Sequence, residues 1–259
     1  SIADQINHAL VRSPKLRLDL ARFYEMAGVR ARDCSDYATA RSYFKIASLL
    51  LPTDHWEIQY EQSLRLFFLL GNATYSCGDG GNAQDILRTI LGECHCIDDK
   101  LPAYFLLVTI LNASGENIDA YTTCREVLSQ IYETIPYSLE SKQTAQMIIA
   151  TSKMIKGLSY TELLKMKEMN KKFSTISGFY SLMSTVALFV KPEAFAFLAC
   201  RQVHLTMKHG ISKWSILGFV QYAAATICSI KTEMNIRGAS RVAENAMSYF
   251  KERFYSAEQ

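Results

Sequence analysis

Three stretches of the chain place a small or apolar residue twelve positions ahead of an alanine: Gly28 before Ala40, Gly71 before Ala83, and Val108 before Ala120. Each leading residue closes a cluster of constant spacing. These are Tyr24, Ala27 and Gly28; Phe67, Leu70 and Gly71; and Tyr104, Leu107 and Val108. Each alanine opens another: Ala40, Phe44 and Ala47; Ala83, Leu87 and Ile90; Ala120, Cys124 and Val127. Steps of three and four put each cluster on one helix face. Such a chain must pair its helices, because Gly or Ala lets two helices approach while a large residue opposite fills the gap. "GDGGNA" and "GENIDA" supply turns between the paired helices, and Gly78 and Gly115 fit the positive-φ position after a helix end.

The helical period extends beyond these stretches. Period-two runs rich in Val, Ile and Thr are nearly absent, and only 12 Gly and 5 Pro interrupt a composition that is 49% apolar. Breakers fall at the intervals of helix hairpins: Pro52, Pro102, Pro136, Gly157, Gly178, Pro192 and Gly210. The fold class expected is all-α.

The clusters resemble the tetratricopeptide repeat, in which W-x2-L-G-x2-Y on helix A is followed by A-x3-F-x2-A-x4-P on helix B. "YATARSYFKIASLLLP" matches the helix-B pattern at Ala40, Phe44, Ala47 and Pro52. The alanines recur after 43 and 37 residues instead of the family's usual ~34, so longer helices or loops are expected. The resemblance implies one right-handed helical-repeat solenoid over 1–259, with its clearest repeats at about 21–54, 64–97 and 101–134. Degenerate helices are expected over 138–259, ending in "NIRGASRVAENAMSYFKERF", whose Ala239, Ala243 and Ala246 look like the small residues of a last helix B. More broadly, "HALVRSPKLRLDLARFYEMAG" and the His-Gly-x-Ser segment at 209–212, with Ser215, resemble the helical region that follows the AAA/STAND-type ATPase module. That region occurs in large signalling proteins such as hybrid sensor kinases, serine/threonine kinases and cyclases.

Other functions find little support. A net charge of +3 is too mild for a nucleic-acid partner. Seven irregularly spaced cysteines and no apolar leader point to a reducing, cytoplasmic setting. Neither "GFYSLMSTVALFVKPEAFAFLAC", interrupted by Lys191, Pro192 and Glu193, nor the 17-residue "WSILGFVQYAAATICSI" is expected to span a membrane. No phosphate-binding G-x-x-x-x-G-K-[ST] loop is present. Cys94, His95 and Cys96 are too close together for one zinc ion, and thiols packed at a helix end are expected instead. Asp98 and Asp99 are expected to cap the following helix. His204 is expected to be a satisfied core histidine. Thus neither catalysis, metal nor cofactor is expected. "KMIKGLSYTELLKMKEMNKK", 153–172, is expected to be a lysine-rich helix with a solvated face, and a partner or membrane-surface helix is the other possibility for it.

In the resembled family, ligands lie along the concave face, at helix-A positions between the packing residues. Carried over, those positions are Arg22, Glu25, Val29 and Arg32 in the first repeat. They are Arg65, Phe68, Asn72 and Tyr75 in the second, and Phe105, Thr109 and Asn112 in the third. The partner-binding set is therefore Arg22, Arg32, Arg65, Phe68, Asn72, Tyr75, Phe105 and Asn112. Its mix of Arg and Asn suits an extended segment with acidic groups. The function implied is a non-catalytic interaction or regulatory module binding a protein or peptide, another domain of the same polypeptide included. The alternative is a small-ligand sensor with an apolar pocket in the C-terminal half.

Overall fold

In the computed structural model, residues 14–131, 133, 135–136, 140–229 and 233–252 are described. Among them the helical period prevails, with thirteen helices and no strand. Contacts divide the chain into two compact units, Ser1–Ser114 and Gly115–Gln259. The division falls inside the third expected repeat.

The first unit contains α1 (Pro14–Asp33), α2 (Tyr37–Leu50), the single turn α3 (His55–Ile58), α4 (Tyr60–Ser76), α5 (Gly80–Glu93) and α6 (Ile97–Ala113). Each helix packs chiefly on its neighbours in sequence: α1 on α2, α2 on α4, α4 on α5 and α5 on α6. The α1–α2 turn is closed by backbone bonds from Cys34 N–H to the Arg30 carbonyl and from Asp36 N–H to the Ala31 carbonyl. The α4–α5 turn repeats them, from Cys77 N–H to Ala73 and from Asp79 N–H to Thr74. Such closure requires a left-handed residue. Gly78 (φ 81°) provides it in the second turn, and Gly115 (φ 80°) stands at the corresponding place before α7. In the first turn Ser35 does so at φ 61°, a cost that the sequence did not advertise. Asp36 and Asp79 then cap α2 and α5, accepting from Thr39 N–H and Asn82 N–H.

The helix-B clusters point inward. Ala40, Phe44, Ala47, Ala83, Leu87 and Ile90 are fully buried. The tight crossing, however, is at Gly28 and not at Gly71. A Cβ on Gly28 would lie 2.5 Å from the Phe44 ring, whereas one on Gly71 would meet Ile86 and Leu87 at 3.4 and 3.5 Å, ordinary contact. The difference is the side chain opposite: phenylalanine reaches across the gap and leucine stops short. Asp98 and Asp99 do not cap α6, whose N-cap is Cys96. They occupy its first turn, where their charge suits the helix dipole.

The second unit contains α7 (Asn117–Gln130), α8 (Ser141–Met154), α9 (Tyr160–Lys165), α10 (Lys171–Val190), α11 (Pro192–His209), α12 (Ser215–Ser229) and α13 (Glu233–Phe250). From α10 to α13 each helix again packs on the next, but the three helices before them reach across, α7 to α10, α8 to α11 and α9 to α13. Ala120, Cys124 and Val127 on α7 are fully buried. The lysine-rich stretch 153–172 is not one helix. It breaks at Gly157 (φ 88°), forms the six-residue α9 behind the Ser159–Glu162 capping box, and buries Leu163. On α13 the inward face is Val242, Ala246 and Tyr249. The Ala239 side chain lies outside the described residues.

The His209–Ser212 segment proves to be a clamp. Ile211 N–H donates to the Lys167 carbonyl (2.9 Å) and Met169 N–H to the Ile211 carbonyl (2.8 Å), making an isolated parallel bridge beside Gly210 at φ 105°. A Cβ on Gly210 would lie 2.2 Å from the Lys167 carbonyl oxygen. Ser215 accepts from Ser212 N–H and from the Thr206 hydroxyl, and buried Gln202 donates to the Trp214 carbonyl. α10 is the one described helix long and apolar enough to cross a membrane, and 56% of that apolar window is buried within the protein. It stops at Val190, and Pro192 starts α11.

Two predictions follow from this packing. Ser35→Gly relieves the left-handed turn and should raise stability by about 0.5–1 kcal/mol in urea titration. Gly28→Ala should cost about 1–3 kcal/mol because Phe44 has nowhere to move, while Gly71→Ala should be neutral or slightly stabilising.

Candidate functional site

The expected partner-binding residues all belong to the first unit. None is buried: Arg22, Arg65 and Asn72 are exposed, and Arg32, Phe68, Tyr75, Phe105 and Asn112 are partly so. Between them on α4, Leu66, Leu70 and Ala73 face the core, while Phe67, expected to pack inward, is only partly buried. The structure brings Arg22 and Arg65 together. Both line a surface depression of about 430 Å³, floored by Gln59, Tyr60 and Gln62 at the start of α4.

Charge in that depression departs from expectation. Glu25, expected to face a ligand, is buried, and it accepts from Arg65 through both carboxylate oxygens, Nε at 2.5 Å and Nη2 at 3.3 Å. The hydrogen bond to Glu25 raises the Arg65 pKa, holding the guanidinium charged. Glu57 and Glu61 lie on the same rim, so the two arginines meet at least as many carboxylates. The positive charge of this surface is therefore offset within it. Arg32 is also engaged, with Asp33 next to it at 2.7 Å. Arg22 has no ion-pair or hydrogen-bond partner among the described residues. Beside it on α1, Phe23 and Met26 are 64% and 60% exposed.

Tyr60 ties the entry of α4 to that of α6. Its hydroxyl donates to Asp99 at 2.7 Å and accepts from His95 N–H at 3.1 Å, and its ring stacks on His95 at 4.0 Å. Burial, chiefly, pushes its phenol pKa up. The Cys94-His95-Cys96 run thus splits three ways: Cys94 is buried, His95 stacks on Tyr60, and Cys96 is exposed. All seven cysteines are free thiols, and burial pushes that of Cys200 up to about 11.

The more elaborate arrangement lies in the second unit, for whose C-terminal half the sequence suggested an apolar pocket as an alternative. A cleft of about 550 Å³ is lined along α11 by Arg201, His204, Leu205 and Lys208, with His209 at the helix end. Tyr180 of α10, Met154 of α8 and Glu133 complete it. Apolar side chains share its wall with five charged or ring-nitrogen groups, Glu133, Arg201, His204, Lys208 and His209. Tyr180 donates to Glu133 Oε2 at 2.7 Å, Arg201 donates to the same oxygen at 2.5 Å through Nη2, and Arg201 Nε reaches the Tyr180 hydroxyl at 3.4 Å. Burial raises the Tyr180 pKa. For Arg201 burial opposes the charge, but Tyr180 and Glu133 outweigh it and the pKa rises.

His204 is neither free nor a simple core histidine. Its Nε2 lies 2.9 Å from the Thr151 hydroxyl, whose own proton is given to the Met147 carbonyl at 2.8 Å. With that proton on Met147 the hydroxyl accepts from His204, and the neutral ring then carries Nε2–H and leaves Nδ1 as an acceptor. Burial first, then Arg201, push its pKa down. His209 stacks on Phe173 at 3.5 Å, and burial followed by Lys208 and Lys167 lowers its pKa. The one legible signal for this cleft was the i, i+3, i+7 spacing of Arg201, His204 and Lys208 on one helix face. Among the described residues no group of three or more His, Cys, Asp or Glu side chains is placed to hold a metal ion.

No protein-family model and no curated protein matches the sequence.

The Glu25 geometry yields a prediction. Arg65→Ala strands a buried carboxylate and should destabilise by about 1–3 kcal/mol in chemical denaturation. Adding Glu25→Gln to Arg65→Ala should recover part of that loss, the coupling expected of a bonded pair.

Proposed function

We propose that the chain is a non-catalytic interaction module of the tetratricopeptide-like class, a right-handed helical-repeat solenoid acting within a larger cytoplasmic signalling protein. It holds a protein or peptide segment along the exposed face of its A helices. The observation that supports this reading most is the division of residues on α1 and α4. The small and apolar set packs inward against fully buried helix-B residues, while all eight proposed contact residues keep access to solvent. Identical closure of the first two turns supports a repeating architecture. In repeat proteins of this kind, packing between neighbours leaves an extended surface for ligands.

The charges adjust the partner's chemistry. With Arg65 committed to Glu25, the recognition groups available are Arg22, the Asn72 amide, and the faces of Phe68 and Tyr75. Asn amides suit peptide backbone and the rings suit apolar side chains, so an extended, mostly apolar segment with a single acidic group fits better than a strongly acidic one. A second reading, small-ligand sensing, is favoured by the cleft of the second unit and its built polar wall.

The test is selection of peptides from a random displayed library, followed by titration of the winners. Arg22→Glu and Asn72→Ala replace exposed groups and should leave circular dichroism and melting within about 0.5 kcal/mol of wild type. They should weaken the selected peptides by about tenfold or more. Unchanged affinity in both variants would exclude this face.

A further inference from the structure

The cleft of the second unit concentrates nitrogen donors from one helix face. Arg201, His204 and Lys208 succeed one another at i, i+3 and i+7 on α11, and His209 follows at its end. Among the described residues only one carboxylate, Glu133, lines the same space. Lys208 and His209 alone would be accounted for by the negative end of the helix dipole. Arg201 and His204 lie one to two turns earlier, where the dipole asks for no cation.

Arg201 is held in place. Its Nη2 is bonded to Glu133 and its Nε to Tyr180, while Nη1 has no partner among the described residues. A guanidinium fixed on one edge and open on another presents its remaining donors without losing further side-chain freedom. Glu133 thus orients the arginine, and Lys208, which is exposed and without an ion-pair partner among the described residues, leaves the cleft with a surplus cation. His204 adds an element that a bare cation cluster lacks. With Nε2–H given to Thr151, its Nδ1 accepts, and so favours a ligand hydroxyl close to the anionic group. Met154, Leu205 and Met207 supply an apolar wall, and the volume suits a metabolite-sized molecule.

We propose that this cleft binds a small hydroxyl-bearing organic anion, a hydroxycarboxylate or a sugar phosphate. Its charged group sits at Arg201 and Lys208, and its hydroxyl donates to His204 Nδ1. The proposal deepens the ligand-sensing reading and is independent of the peptide face on the first unit.

The experiment follows the imidazole signals of isotopically labelled full-length chain during titration with malate, succinate, ribose 5-phosphate and ribose. Malate or ribose 5-phosphate should shift the His204 and His209 signals saturably below about 10 mM, with ribose inert. Which of the two anions binds identifies the carboxylate or the phosphate class. Succinate, which lacks the hydroxyl, should bind more weakly than malate where the carboxylate arm is the active one. Lys208→Glu removes an exposed group and should weaken binding by about tenfold without lowering the melting temperature. Where malate is the ligand, His204→Phe should abolish its advantage over succinate, with the His209 signal as reporter. Arg22→Glu should leave anion affinity unchanged, separating this site from the peptide face. The proposal is overturned if neither anion saturates by about 10 mM, or if Lys208→Glu binds as wild type does.

Discussion

The first unit depends on how closely α1 and α2 approach. Phe44 is completely buried with its ring against the bare Cα of Gly28, and no side chain could stand between them. Helices so close must be joined by a short turn, and a short turn needs one residue in the left-handed region. The chain meets that demand at Ser35 and Gly78, each followed by an aspartate whose carboxylate caps the next helix. Packing and turn chemistry are thus two expressions of one constraint. Four residues beyond each aspartate comes the alanine, Ala40 or Ala83, that opens the buried face.

The second unit solves the same problem less regularly. Its core holds polar side chains as well as apolar ones: Ser177, Gln202, Thr206 and Ser215 are all buried, linked through bonds that fasten the α11–α12 connection. Gly210 lets the backbone after α11 lie against Lys167, and Gly218 makes room for Gln202. A polar core of this kind is demanding, because each member loses stability if its partner shifts. One consequence is a fixed orientation for α11, whose opposite face carries Arg201, His204 and Lys208 into the cleft.

The two units therefore offer different kinds of surface. On the first, Arg65 is already closed in an ion pair with Glu25, and the same helix carries exposed Asn72 and partly exposed Phe68 and Tyr75. On the second, an arginine is oriented by a carboxylate and a phenol while part of its guanidinium remains open. The Glu25–Arg65 pair illustrates how a charge that looks available along a helix can be consumed from the neighbouring helix. The Glu133–Arg201 pair shows the complementary case, in which a bonded arginine still has donors to offer.

Much of the helical architecture was legible in the chain itself. Steps of three and four, the recurring twelve-residue interval and the breakers between them specify helices, their buried faces and their turns, because these are local properties of backbone period and side-chain size. Local signals also sufficed for Gly78 and Gly115. They failed at Ser35, where a polar residue adopts the glycine conformation because the flanking helices are packed. They failed again over 153–172, where lysine spacing suggested one helix and Gly157 with the Lys167–Ile211 bridge imposed another course. Whether Gly28 or Gly71 forms the tight crossing depended on the reach of the side chain opposite. The pairing of Arg65 with Glu25, forty residues apart, and the meeting of Glu133, Tyr180 and Arg201 rest on which helix faces come together in space. Spacing along one helix places a residue on a face, but only the neighbouring helix decides what that face meets.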